Sequence, residues 1–409
     1  MIKPPAFIRH QPRLAFYAFA AVAASGFGQT FFVSVMGGEL RQAFELSHTA
    51  YGSLYSGATV LSAALLLRFG ALADRWSLTG VTTLAVAVLA SGCLAVGLAP
   101  SGLFLGLGFV LIRFGGQGLM AHLGMTTAAR FFSDQRGNAV AMAQLGFPLA
   151  EAVLPAGAVL VMGRFGWRGS WLAGGLFLAA AAWPLLVFLS RRPPAPPQIG
   201  AGAGRGGGSS ATRAQVLRDP GFYLVLPATL AVPFVVTALF FHQVAIAQAQ
   251  GWSVELVGKA FAGYAAGHLV TLFGAGVVVD RLSAGRTLPL GLLPMAAGLV
   301  LLALANEPWV AVAYLVLLGV AQGLAATAGG AVWAERYGVL HLGAIRAVTQ
   351  AAMVVSTAVA PVLLGVFLDM AVQPAVLAAC MAAAVVVVAL IAVVPLQRER
   401  SGDKGAHRC

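Results

Sequence analysis

Long apolar runs, interrupted at fairly even intervals by short clusters of charge, glycine and proline, set the rhythm of this chain. Stretches of about 20 residues, each long enough to cross a hydrocarbon layer roughly 30 Å thick as a helix, recur about a dozen times. They predict spans near residues 14–36, 50–67, 79–98, 101–126, 137–162, 170–189, 221–247, 260–279, 287–305, 308–331, 347–368 and 373–396. Lipid offers no partner for a backbone N–H or C=O, so spanning segments are helices or closed barrels, and runs of this length select helices. The pattern is that of an all-α membrane protein with twelve transmembrane helices.

The pattern also repeats. Gly70-Ala-Leu-Ala-Asp74-Arg75 returns 206 residues later as Gly276-Val-Val-Val-Asp280-Arg281, each just after a long apolar run. The same offset superposes Gly124 on Gly330, Arg130 on Arg336, Gly137 on Gly343, Gln144 on Gln350 and Pro155 on Pro361. A slip of one residue brings Gln117-Gly118 onto Gln322-Gly323. A repeat that keeps glycines, prolines and loop charges while losing other identities is a duplicated scaffold, and in membrane proteins such halves meet around one central site. The expected organisation is two pseudo-symmetric six-helix bundles, 1–189 and 220–396, joined by a flexible linker at 190–219 and followed by a tail at 397–409. Within the linker, Arg191-Arg192-Pro-Pro-Ala-Pro-Pro is a stiff exit and residues 200–210 are Gly, Ala and Ser apart from Arg205. Thr212 to Asp219 then predicts a short surface helix broken at Asp219-Pro220.

Composition narrows the class: 59% hydrophobic residues, 9% charged and a mean hydropathy of +0.88 exclude a soluble domain. The net charge of +12 invites a nucleic-acid reading, but its placement argues for topology instead. Every Lys and Arg falls on one side of the predicted spans except Arg41, Arg164, Arg168 and Lys259 on the other and Arg113 inside a helix. This is the positive-inside bias, which puts both termini and the middle loop in the cytoplasm of a bacterial inner (plasma) membrane protein with no nucleic-acid partner. Cys93, Cys380 and Cys409 form no disulfide framework. The short basic segment before residue 14 reads as the lead into a retained first helix rather than a cleaved signal.

Helices three, six, nine and twelve carry no charged residue inside, as lipid-facing supports should. Polar side chains gather in the others: Gln29, Arg113, Gln117, Gln144, Glu151, His242, Gln243, His268, Gln322 and Gln350. The chain resembles the major facilitator superfamily over essentially its whole length. Gly70 to Arg75 and its copy resemble that family's cytoplasmic loop motif between helices two and three. Arg113-Phe-Gly-Gly-Gln117-Gly118 resembles its fourth-helix arginine motif, with one extra residue between Arg and Gln. The resemblance implies two rocking six-helix bundles around a central cavity.

Arg113 stands out because an arginine near the middle of a span costs roughly 2.5–3.5 kcal/mol on insertion scales and needs a partner or a wet cavity. It reads either as a cation for an anionic solute or as a hydrogen bonder to nearby carbonyls. Glu151 is the acidic residue placed well inside a span, and Gln144, Pro148, Glu151 and Pro155 share one helical stripe. The second half has Thr357 where Glu151 is expected, so the carboxylate is no scaffold requirement and suits proton exchange, with Arg113 expected to act alongside it. His242 and His268 are placed to bind solute, relay protons or pack. Gly70, Asp74, Arg75, Gly276, Asp280 and Arg281, with Arg130 and Arg336, read as cytoplasmic latches of a two-state gate. No His, Cys and carboxylate set has metal-ligand spacing and no phosphate loop is present, so neither metal, cofactor nor enzyme chemistry is expected. The expectation is a monomeric secondary active transporter that moves a small polar or anionic organic solute by alternating access with protons. The alternatives are a proton-driven efflux pump for lipophilic compounds and a non-transporting membrane sensor.

Overall fold

The computed structural model describes residues 11–69, 76–132, 136–191, 211–338 and 341–406. Among these it is helical nearly throughout, with eleven stretches long and apolar enough to cross a membrane. Spans 1 to 4 are Pro12–Ser34, His48–Phe69, Leu78–Gly97 and Gly102–Phe131. The next stretch, Asn138–Ser190, is 53 residues long, far more than one crossing requires. Its backbone turns at Gly166, where φ is +67°, a left-handed value that glycine adopts at no steric cost. It therefore holds spans 5 and 6. Spans 7 to 12 follow as Pro220–Phe241, Val254–Leu282, Ala284–Leu304, Pro308–Tyr337, Ile345–Asp369 and Pro374–Pro395.

The chain divides into two compact units. The first comprises residues 1–200 together with Phe240–Ala245 and Val257–Lys259, and the second comprises the remainder. In the first unit, span 1 is packed against spans 4 and 5 around Leu14, Ala18, Val22, Ala128, Phe131 and Ala143. Small residues set these distances: a Cβ on Gly124 would lie 2.7 Å from the Ala18 carbonyl, and one on Gly146 would lie 2.6 Å from that of Phe19. Lipid rewards such close backbone approach, because burying a Leu against a neighbour gains little over burying it in acyl chains.

In the second unit a seam of the same kind runs between spans 8 and 10. Gly319 and Gly323 take the backbone of His268 and Leu272 at 2.9 Å from where a Cβ would stand. Spans 7, 11 and 12 share a cluster of Ala238, Ala360, Leu364 and Leu377. Large apolar side chains such as Leu103, Leu160, Leu176, Leu304 and Leu390 remain exposed on the outside of their units, a surface suited to lipid rather than water. The predicted surface helix before span 7 is present as Arg213–Arg218, closed by a capping box from Thr212 and Gln215.

Candidate functional site

Span 1 is not continuous. Helix Pro12–Ser25 passes into a 3₁₀ turn, Gly26–Gly28, and Gln29 is extended (φ −91°, ψ 159°) before helix resumes at Thr30. An unbroken helix would send the Phe32 N–H to the Gly28 carbonyl. Here Phe32 N–H donates to the Gln29 carbonyl at 3.2 Å, which leaves Gly28 C=O outside the ladder.

Span 4 supplies the missing donor. Arg113 Nη1 donates to Gly28 O at 3.0 Å and Arg113 Nε donates to Thr59 Oγ1 at 3.1 Å. Thr59 can accept because its own hydroxyl proton goes to the Tyr55 carbonyl at 2.9 Å. The guanidinium also lies 4.8 Å from the Tyr55 ring centroid, a cation–π contact strengthened by exclusion of water. Tyr55 closes the circuit, since its hydroxyl bonds Thr30 Oγ1 at 2.8 Å just past the break. Arg113 is 1% exposed, and its hydrogen-bond partners among the described residues are neutral. In this arrangement Arg113 bonds a nearby carbonyl and a hydroxyl.

The extra residue in the Arg113 motif has a structural counterpart. Residues Arg113–Met120 are π-helical, and a π turn is how a helix absorbs one inserted residue without unwinding. At this point Gly116 lies on Gly28, where a Cβ would come within 2.7 Å of the Gly28 Cα. Two glycines therefore let the break in span 1 and the π turn in span 4 touch backbone to backbone.

The other first-unit candidates fall around this junction unevenly. Glu151 is 6% exposed on span 5, and its neighbours Ala150 and Leu154 pack on Gly26 at the start of the break. Gln29 and Gln144 are half-buried and Gln117 is exposed. His242 and Gln243 are buried and belong to the first unit although they follow span 7 in sequence. His242 Nδ1 lies 3.4 Å from His48 Nδ1, a residue that sequence reasoning did not single out. Phe241 next to it stacks on Tyr51 with centroids 4.5 Å apart. The partners Tyr55, Thr59 and Thr30 were missed as well. Their signal was a polar Tyr55, Thr59, Ser62 stripe in span 2 and the Gly26-Phe27-Gly28 interruption of an apolar run.

In the second unit His268 is buried at the seam of spans 8 and 10, 6.0 Å from the Tyr264 ring. Gln322 is half-buried and Gln350 exposed. The hydroxyls along this seam do not bridge between spans as Thr59 does: Thr271 donates to the Gly267 carbonyl at 2.7 Å and Thr327 to that of Gly323 at 3.2 Å, each on its own helix. Of the latch residues, Gly70, Asp74 and Arg75 lie outside the described residues. Gly276 sits in the helical body of span 8, and Asp280 and Arg281 are exposed near its end. Arg130 is exposed at the end of span 4. Arg336 has a partner that the repeat does not predict.

Three consecutive residues at the end of span 10 tie down the rim of the second unit. Glu335 accepts from the Ala284 and Gly285 N–H groups at 2.8 and 3.2 Å, capping the start of span 9. Arg336 Nη2 donates to Asp219 Oδ2 at 3.1 Å and Tyr337 Oη donates to the same oxygen at 2.6 Å. The Tyr337 carbonyl accepts from Ala211 N–H at 3.0 Å. Partial burial opposes ionisation of Asp219, but the bonds from Tyr337, the Gly221 amide and Arg336 outweigh it and hold the carboxyl below the usual carboxylate range.

Two sets of membrane-spanning helices, related by an internal repeat and carrying buried polar groups, define the class as a polytopic helical transporter fold. The chain belongs to the Major Facilitator Superfamily, whose family model matches residues 18–244 and 236–408. A curated relative, an MFS-type efflux pump of Mycolicibacterium smegmatis, is 26% identical over 285 residues, covering 67% of this chain and 65% of that protein. The match thus spans just under two thirds of the relative's length. Among solved structures, a bacterial homologue of the human lysosomal transporter Spinster in an inward-facing, occupied conformation superposes with a TM-score of 0.66 at 18% identity, covering 96% of this chain and 95% of that one. The nucleoside transporter NupG superposes with a TM-score of 0.64 at 14% identity, covering 94% of this chain and 98% of that one. At these identities the likeness concerns the fold.

Proposed function

We propose that this member of the superfamily is a secondary active transporter that carries a small polar or anionic organic solute by alternating access, coupled to protons. The observation that carries the reading is Arg113: a buried guanidinium held at a helix break by a carbonyl, a hydroxyl and an aromatic face, with no carboxylate among its partners in the described residues. Neutral partners are exchangeable, and a solute carboxylate or phosphate is a stronger acceptor for a guanidinium than any of them. Arg113 can therefore pass from Gly28 and Thr59 to a bound anion, which would loosen the break in span 1 as the solute arrives. Gln29 and Gln117 supply further hydrogen-bonding capacity nearby in sequence, and Glu151 on span 5 is the proton carrier in this scheme. Asp280, Arg281 and Arg336 serve the gate, with Gly70, Asp74, Arg75, Gly276 and Arg130 in the matching roles. The protein works as a monomer in the bacterial inner membrane with both termini cytoplasmic.

A second reading, proton-driven efflux of lipophilic compounds, draws support from the name of the Mycolicibacterium smegmatis relative. Proteoliposomes with an imposed pH gradient, tested with a panel of small organic anions, nucleosides and lipophilic dyes, separate the two. Accumulation of an anion that Arg113→Lys greatly weakens supports the first reading, because an ammonium cannot reproduce the planar fork. Gradient-driven movement of dyes alone, indifferent to Arg113→Lys, overturns it in favour of the second.

A further inference from the structure

We propose that His48 and His242 form a bridging site for a divalent transition-metal cation, with zinc as the best fit, at the end of the first unit remote from residue 12. The two Nδ1 atoms are 3.4 Å apart. Zinc takes imidazole nitrogen at about 2.0–2.1 Å in tetrahedral geometry, which places two such ligands about 3.3–3.4 Å from each other. The atoms that now share a hydrogen bond already have the separation that a common metal would impose.

The two rings are also held. His48 opens the helix of span 2, and His242 occupies the single turn residue between the helix of span 7 and helix Gln243–Ala249. Phe241, the residue before His242, stacks on Tyr51 at 4.5 Å and lies 4.6 Å from Tyr55. Tyr51 is three residues after His48 and so on the same face of its helix. The aromatic stack thus fixes the backbone of one ligand against the helix of the other, and the imidazole centroids stand 5.4 Å apart with planes at 54°. A metal site gains from ligands immobilised before the ion arrives.

The chemistry requires little rearrangement. In the hydrogen-bonded pair one Nδ1 carries the proton and the other accepts it. To present both lone pairs to a cation, the donor ring moves its proton from Nδ1 to Nε2, so a neutral pair binds the metal with no net release of protons. His242 is 3% exposed while His48 is half-buried, so the pair is accessible from the His48 side. Among the described residues no group of three or more His, Cys, Asp and Glu converges. The site therefore offers two protein ligands, with water completing the shell, and binds more weakly than a four-ligand structural zinc site. Sequence spacing could not reveal it, because the ligands lie 194 positions apart.

The test uses purified, tag-free, full-length protein in detergent at about pH 8, where imidazole is neutral. ZnCl₂ is expected to raise Tm by a few degrees, increasing with the logarithm of metal concentration, whereas MgCl₂ leaves it unchanged. His48→Ala and His242→Ala each abolish the shift, and His122→Ala and His341→Ala retain it. His48→Cys keeps a metal response but moves its preference toward Cd²⁺, since thiolate favours softer ions. This last variant decides the matter even if His242→Ala fails to fold. A zinc shift that survives in His48→Ala, a Cd²⁺ preference absent from His48→Cys, or no zinc shift in the unaltered protein overturns the proposal. None of these readouts depends on the identity of the solute or of the coupling ion.

Discussion

Span 4 and span 10 occupy matching places in the two copies of the repeat, yet they are built differently. Span 10 is a plain α-helix from Pro308 to Tyr337, and where span 4 has Arg113 it has Gly319, or Leu318 with the one-residue slip. Its glycines close a tight seam against span 8. Span 4 contains the π turn Arg113–Met120 and pushes a guanidinium into the first unit. The same contrast separates the opening spans of the two units. Span 1 breaks at Gly26–Gln29, whereas the corresponding stretch of span 7 around Pro233 stays helical. Span 5 carries Glu151 where span 11 carries Thr357. Duplication thus produced one unit with a polar junction at a helix break and one whose polar strength lies at its rim, in Glu335, Arg336 and Tyr337. Backbone irregularity within a membrane is tolerated where it is buried in protein or lines a cavity, which makes the first unit the place to look for solute chemistry.

The largest effect expected from erasing this difference comes from Arg113→Leu, which gives span 4 the residue found near this point in span 10. Gly28 O and Thr59 lose their donor, and stranding a buried acceptor costs about 1–3 kcal/mol. We expect a lower Tm in detergent and transport reduced to background. A variant with wild-type Tm and transport would show that the circuit is dispensable. Next in size is the glycine contact. Gly116→Ala forces a methyl to within 2.7 Å of Gly28 Cα and should cost about 1–3 kcal/mol as an overpacking defect. The repeat superposes Gly124 on Gly330, and that pair sharpens the comparison: a Cβ on Gly124 would lie 2.7 Å from the Ala18 carbonyl whereas nothing lies within 4 Å of one at Gly330, so Gly124→Ala should cost about 1–3 kcal/mol and Gly330→Ala less than about 0.5 kcal/mol. Equal losses at the two positions would contradict the claimed asymmetry.

Much of this architecture could be read from the residues. Apolar run lengths marked the spans, and the paired glycine, proline and loop-charge positions marked the duplication. The merging of spans 5 and 6 into one long helical stretch was hidden because Gly166 turns the chain without leaving helix for more than a residue. The site was legible in part. A charge in an apolar run announces itself, so Arg113 and Glu151 were found. Their partners were not, because a backbone carbonyl such as Gly28 O has no sequence signature and hydroxyls such as Thr59 are common in membrane helices. The guanidinium itself bonds Gly28 of span 1 and Thr59 of span 2. His48 went unnoticed because it was placed in a loop ahead of the second span, and its partner lies in the other sequence half.

The smallest effect belongs to the rim of the second unit. Asp219 is held ionised by Tyr337, the Gly221 amide and Arg336, with its pKa below the usual carboxylate value of about 3.9. A group with a depressed folded pKa contributes stability above its unfolded value and loses it as pH falls through the folded one. As pH falls below about 4, Tm of the unaltered protein should therefore fall more steeply than Tm of Asp219→Asn. The Asp219 side chain keeps about a third of its surface exposed, so solvent screening makes the difference small. Parallel curves would remove Asp219 from the account.

The central claim is that coupling resides in the first unit, and Glu151→Gln tests it most directly. In proteoliposomes loaded with whichever solute the unaltered protein accumulates, pH-gradient-driven accumulation and solute exchange at equal pH are measured side by side. Glutamine imitates the protonated acid, so the account predicts that accumulation disappears while exchange persists, and that Thr357→Val on the matching helix of the second unit impairs neither. Full gradient-driven accumulation by Glu151→Gln would contradict it.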